Sequence, residues 1–291
     1  MSNWFKTLWL FVLMSGLFMA IGGLFGQYLF GRGGALTGVA VFFIGAMILN
    51  LVMYWFSGSM VVRQYGAREV TQAESPRLYH TVAELAARAQ IPMPRVYIMD
   101  SPAINAFATG RNPAHAVVCV TTGTMETLNE FELKGVLGHE LSHVKNYDML
   151  TGTVAAGFAM VIGFMSHMML WGARFGGSDS RRRGGNPLLM LLAALAAPIV
   201  FSIVQLAIGR SREYGADWDG AKLAGSSEGL ASALAKIRDT QARGMIMPGS
   251  QATSHLMIAK TDLGSSFAEL FSSHPNIDKR IEKLRGLNIY G

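Results

Sequence analysis

The sequence predicts a mainly helical α+β integral membrane protein with about four transmembrane helices in two hairpins, and three observations carry that expectation. Of 291 residues, 51% are hydrophobic and only 15% charged, too apolar a balance for an ordinary soluble chain. Four uncharged windows, Thr7 to Phe30, Gly33 to Val62, Met149 to Ala173 and Gly184 to Gly209, each exceed the ~20 residues a spanning helix needs. Between the second and third windows, the sequence from about Gly66 to Asp148 carries the mixed helix and strand patterns of a soluble domain. The expected organisation is therefore a membrane hairpin over 1–65, a soluble part over 66–148, a second hairpin over 149–209 and a second soluble part over 210–291.

Each element has a local reason. The first hairpin turns at Phe30-Gly31-Arg32-Gly33-Gly34, and its first window is a retained anchor. That apolar run is longer than the ~7–15 residues of a cleaved signal peptide, and no small-residue cleavage site follows. A helix is expected over Pro76 to Gln90, where Leu78, Val82, Leu85 and Ala86 recur at helical spacing. Three strands follow, Arg95 to Met99, Asn105 to Thr109 and Ala116 to Val120, rich in β-branched or aromatic residues and separated by Pro, Asn and Gly. A further helix starts after Asn129, with Asn129 as N-cap and Glu132 completing a variant capping box. Beyond the second hairpin, helices are expected at Ser211 to Leu223, Glu228 to Arg238 and Asn276 to Arg285, with a mobile loop over Gly244 to Ser266.

The net charge of +6 does not point to nucleic acid, because the basic residues are scattered without an aromatic-interleaved patch. Basic flanks facing anionic lipid headgroups explain it better. The single cysteine, Cys119, excludes an intramolecular disulfide and reads as a small buried strand residue.

The chemistry is concentrated in His139-Glu140-Leu141-Ser142-His143. On a helix, positions i and i+4 share a face, so His139 and His143 can present two imidazole nitrogens to one metal ion. Glu140 lies beside them, placed to take a proton from a water molecule. A catalytic zinc needs a third protein ligand, and the downstream candidates are His167, Glu213, Asp217, Asp219, Glu228, His255, Glu269 and His274. His167 is roughly 36 Å of helix away and is too remote. Glu213 is better placed. If the third window leaves the site and the fourth returns to it, the ends bearing His143 and Glu213 meet on one side of the bilayer. Asp217 follows Glu213 by one helical turn, where it can hydrogen-bond a ligand imidazole and fix its tautomer.

Asn105 to Gly110 (Asn-Ala-Phe-Ala-Thr-Gly), His139 to His143, Glu213-Tyr214-Gly215-Ala216-Asp217, and Ser273-His274-Pro275 with the basic helix to Arg280 together form a specific pattern. It resembles the HtpX-type membrane metalloproteases, relatives of the prenyl-protein (CAAX) zinc proteases, over essentially the whole chain. The resemblance implies a zincin-like metalloprotease domain holding one catalytic zinc, with His139, His143 and Glu213 as ligands, Glu140 as the base and Asp217 behind a ligand. It further implies that the Asn105-Ala106 backbone pairs with an extended substrate and that His274 donates to the oxyanion. Arg280 reads as a helix-surface charge. The implied protein is a multi-pass endopeptidase of a bacterial cytoplasmic membrane, its active site in the cytosol, cleaving misfolded membrane proteins and unfolded polypeptides.

Two alternatives stay open on the sequence. A site-2-type intramembrane protease would bury the motif in an apolar span, whereas Glu130, Glu132 and Lys134 precede it and Lys145, Asn146 and Asp148 follow. A membrane scaffold that binds metal without turnover would not need Glu140. The turn between the third and fourth windows carries Arg174, Arg181, Arg182 and Arg183, against the preference of positive residues for the cytosolic side. Either the first hairpin sets the orientation or the second does not cross completely.

Overall fold

The computed structural model describes residues 3–31, 33–154, 210–243, 247–248, 261–262 and 276–287. Two long helices open the chain, α1 (Asn3–Phe30) and α2 (Gly34–Gln64). They form an antiparallel hairpin in which Gly22, Gly26 and Gly38 meet backbone to backbone, leaving no room for a Cβ on any of them. Such close approach through small residues is how helices pack in lipid, where burial of apolar surface supplies no drive. Asn50 donates to Ser15 across the pair at 2.8 Å, satisfying a polar group within the apolar hairpin. One stretch, Gly34–Phe56, is long and apolar enough to cross a membrane among the described residues, with a mean hydropathy of 2.3. Leu8–Ala20 in α1 is a shorter apolar segment. Leu36, Val41, Ile44, Ile48, Leu51 and Phe56 are exposed along α2, a contiguous apolar face of the kind that meets lipid. The third apolar window lies outside the described residues apart from its first turns at 149–154, and the fourth lies wholly outside them.

The soluble part is a small mixed sheet covered by helices, and the central helix is the one that carries the His pair. Its strands are β1 (Arg68–Glu69), β2 (Arg95–Met99), β3 (Ala106–Thr109) and β4 (Val117–Thr121), in the order β1-β2-β4-β3. β2 and β4 run parallel with Tyr97 opposite Cys119, while β3 pairs antiparallel to β4 with Phe107 opposite Cys119. Cys119 is fully buried in β4, and burial pushes its thiol up to about 12, so it is an inert packing residue. α3 (Pro76–Ala89) lies on the sheet through Leu78, Val82 and Leu85, and α4 (Thr122–Thr127) follows β4 directly.

α5 (Glu130–Lys145) begins with a full capping box. Asn129 Oδ1 accepts from the Glu132 N–H, and the Asn129 N–H donates to Glu132 Oε2, each at 2.9 Å. Its residues from Leu133 to Ser142 are buried on nearly every face except at Lys134, as befits a helix enclosed by others. Two glycines make that enclosure possible. A Cβ on Gly135 would collide with the Leu230 backbone, and one on Gly138 would lie 2.7 Å from the Gly220 carbonyl. In return, a Cβ on Gly220 would lie 2.6 Å from His139 Cα. α6 (Arg210–Ala224) therefore crosses α5 in backbone contact at the His pair itself, which delivers the Glu213 end of α6 to that point.

α7 (Glu228–Ala242) is tied to the start of α5 by Lys236 and Ser232, which reach Glu132 at 2.7 and 2.8 Å. α8 (Ile277–Arg285) packs Ile281 and Leu284 into the same core. Within the expected loop over 244–266, β5 (Met247–Pro248) and β6 (Thr261–Asp262) pair in parallel. That pairing gives the segment a defined contact which its Gly and Ser content did not signal.

Candidate metal centre

His139 and His143 stand one turn apart on α5, their Nε2 atoms 3.3 Å from each other and their rings nearly perpendicular. Glu213 closes the third corner, with Oε2 at 3.7 Å from His139 Nε2 and Oε1 at 3.6 Å from His143 Nε2. Tetrahedral zinc with bonds of about 2.0–2.1 Å sets neighbouring donors roughly 3.3 Å apart. The three side chains thus have the chemistry and the spacing of a two-imidazole, one-carboxylate site, and all their donor atoms lie within 4.8 Å.

Each imidazole is backed on its other nitrogen by a carboxylate. Asp217 Oδ1 lies 3.0 Å from His139 Nδ1, and Asp148 Oδ2 lies 3.4 Å from His143 Nδ1. Acceptors in those places hold the Nδ1 protons and turn both Nε2 lone pairs inward. Each carboxylate in turn meets an arginine. Arg280 clasps Asp217 with two parallel hydrogen bonds, Nε to Oδ2 at 3.0 Å and Nη2 to Oδ1 at 2.7 Å. Arg212 Nε lies 3.7 Å from Asp148 Oδ1.

Arg280 is fully buried, which corrects its reading as a helix-surface charge. The expectation rested on its basic neighbours. Its place in the helical repeat, three after Ile277 and four before Leu284, puts it on the apolar stripe, and that was the available signal. Asp148 and Arg212 were also missed, because they stand at the margins of apolar windows, where a charge reads as a simple end of the span.

The electrostatics follow from burial and these partners. Burial lowers His139 to about 4, against the opposing pull of Asp217. Burial also acts downward on His143, but Asp148, Glu213 and Glu140 together outweigh it and raise His143 to about 9. Glu140 is pushed up to about 8, chiefly by burial and despite the opposing charge of His143. Asp217 stays near 2 because Arg280 and His139 overcome the effect of burial. The Ala108 N–H donates to Glu140 Oε2 at 2.9 Å, so β3 orients that carboxylate beside the His pair.

Asn105 and Ala106 lie at the start of β3, a sheet-edge strand among the described residues. Both are buried, and Asn105 Oδ1 accepts from the Ala106 N–H at 3.0 Å. Ala108, two residues on and therefore on the same side of the strand, is the β3 residue that touches Glu140. His274, His167 and His255 lie outside the described residues.

Residues 72–288 match the description "Peptidase family M48". The chain belongs to this family and is a metalloprotease. It is similar over nearly its whole length to proteins named "Protease HtpX homolog". The one from Pyrococcus furiosus is 45% identical over 282 residues, 97% of this chain and 95% of the relative. The one from Pelotomaculum thermopropionicum is 46% identical over 289 residues, covering 99% and 100%. The crystal structure of S. mikatae Ste24p shares the fold at a TM-score of 0.52 and 18% identity. That match covers 96% of this chain, which spans 64% of the longer Ste24p chain. The M48 match covers both His139-Glu140-x-x-His143 and Glu213. A metal site is therefore a property of the family as well as of this geometry.

Proposed function

We propose that the chain is a zinc endopeptidase that cuts misfolded or damaged membrane proteins and unfolded polypeptides at the cytosolic face of the cytoplasmic membrane. The convergence of His139 Nε2, His143 Nε2 and the Glu213 carboxylate beside Glu140 carries this reading. Zinc held by those three residues would supply Lewis acidity and make an attacking water more acidic. Glu140 would be the base that takes a proton from the attacking water and passes it to the leaving amine. Burial favours such a transfer, because a desolvated carboxylate holds a proton readily. Asp217 and Asp148 keep the imidazoles in the tautomer that ligation requires. The edge strand that begins at Asn105 and Ala106 is the proposed pairing partner of an extended substrate, and His274 is the proposed donor to the oxyanion.

The membrane setting supports the substrate class. The exposed apolar face of α2 and the windows over 149–209 favour four spanning helices in two hairpins, in the division 1–65, 66–148, 149–209 and 210–291. Arg63 and Arg68, both exposed beyond the apolar stretch of α2, favour a cytosolic soluble part. Glu130, Glu132, Lys134 and Lys145 around the motif favour a site at the membrane surface over one within the bilayer.

The reading is tested with purified protein in liposomes presenting an unfolded membrane-protein loop. Cleavage is expected with zinc and not after chelation, and zinc-independent cleavage would overturn the reading. Zinc affinity carries a pH signature. His143 must lose its proton to ligate, and its proton is held up to about pH 9, so affinity falls as pH drops below that value. Titration calorimetry in buffers of different ionisation enthalpy should show proton release on zinc binding at pH 7.

A further inference from the structure

The carboxylates behind the two imidazoles stand on different elements, Asp217 on α6 and Asp148 on the segment 148–154. His139 is backed by Asp217 and Arg280, on α6 and α8 of the soluble part. His143 is backed by Asp148, which Arg212 faces from α6. Both of these side chains are about nine-tenths buried, at 10% and 9% exposure. Asp148 begins the helical segment 148–154, and Arg212 lies in the first turn of α6.

The segment 148–154 is also gripped from the membrane side. Leu150 and Val154 share an apolar cluster with Leu10 and Met14 of α1 and Met53 of α2. Thr153 Oγ1 contacts Thr109 Oγ1 of β3 at 2.9 Å. On its other side, the turn into the segment places Tyr147, a non-glycine residue, at φ 58, and Asn146 Nδ2 donates to Asp219 Oδ2 of α6 at 2.9 Å. A left-handed turn that holds a bulky residue leaves little slack between His143 and Asp148. Movement of 148–154 relative to α6 therefore reaches the imidazole of His143 through Asp148.

We infer that Asp148 and Arg212 form a positioning pair through which the packing of the segment 148–154 against the α1–α2 hairpin sets the ligand geometry of His143, so that a bilayer tightens the metal site. Asp148 acts through His143, and Arg212 acts through Asp148 and through the adjacent ligand Glu213. The inference rests on the zinc reading above and adds its regulation by the lipid environment. It makes zinc retention a property of correct insertion, which would keep a poorly inserted protease from cutting.

The test measures zinc release into a colorimetric zinc chelator from the full-length holoprotein, in lipid nanodiscs and in detergent micelles. Supporting a ligand from behind is worth about 10–100-fold in metal affinity. Wild-type protein is expected to release zinc about 10-fold more slowly in nanodiscs than in micelles. Asp148→Asn and Arg212→Ala should release it about 10–100-fold faster in nanodiscs and lose the dependence on environment. Arg212→Lys, which keeps the charge, should recover part of both. Asp217→Asn should weaken zinc equally in the two environments, since its partners lie on soluble helices. Release from Asp148→Asn and Arg212→Ala at the wild-type rate, or an undiminished nanodisc advantage in folded variants, would overturn the inference. Wild-type protein that binds no zinc would instead overturn the zinc reading itself.

Discussion

Glu140→Gln is expected to lower kcat for peptide hydrolysis by about 10²–10⁴-fold while zinc content stays at the wild-type level. Glutamine fills the same volume and can still face the Ala108 N–H through its carbonyl oxygen, so the packing around α5 should survive. What it cannot do is accept a proton. Because Glu140 contributes no donor to the His139, His143 and Glu213 cluster, metal retention and turnover should separate cleanly in this variant. The measurement is kcat on an unfolded polypeptide together with metal content of the same preparation. Wild-type turnover with zinc bound would remove Glu140 from the mechanism, and loss of zinc would make it a structural part of the metal site.

Arg280→Leu should be the most damaging single change to stability, costing about 3–5 kcal/mol, the usual cost of breaking a buried ion pair from one side. The two hydrogen bonds to Asp217 disappear, and the carboxylate is left buried without its cation. Asp217 then takes up a proton more readily and releases its hold on His139, so zinc affinity falls along with stability. Arg280→Lys should rescue only partly, since an ammonium cannot reproduce the paired geometry.

A pH dependence accompanies this pair. The folded value for Asp217 is depressed to about 2, so its contribution is complete above the unfolded value near 3.9 and is lost as pH falls toward 2. Thermal melts between pH 5 and pH 2.5 should show this loss in wild-type protein, and Asp217→Asn should flatten it. An Arg280→Leu protein as stable as wild type would refute the role assigned to the clasp.

Much of the fold near the site was legible because it is written in short-range patterns. Asn129 and Glu132 announce the start of α5 by a spacing that has one physical use, and α3 follows directly from Leu78, Val82 and Leu85. The strands β2 and β4 show as short β-branched runs. Their adjacency does not show, because β3 intervenes in sequence yet lies at the sheet edge. β1 is two residues long and has no pattern to find. The crossing of α5 by α6 depends on Gly138 and Gly220, whose role emerges only when the two helices are seen together.

The candidate site divides in the same way. His139, Glu140 and His143 are legible from helical periodicity, and Glu213 from its position after the fourth apolar window. Asp217 follows from Glu213 by one turn. The arginines were hidden because an isolated charge in a sequence is ordinarily solvated, and only a buried partner makes its burial tolerable. Arg280 belongs to an otherwise surface-like helix, and its partner Asp217 lies 63 positions away. Nothing local links them.

In the proposed site one zinc is held jointly by α5 and α6, which lie on either side of residues 155–209 in the chain. The most direct measurement is the zinc stoichiometry of purified wild-type protein and of Glu213→Gln, read by mass spectrometry of the metal after dialysis against a weak chelator. One zinc per wild-type chain and a strong loss in Glu213→Gln, with helical content unchanged by circular dichroism, is the predicted result. Full zinc occupancy in Glu213→Gln would exclude Glu213 as a ligand.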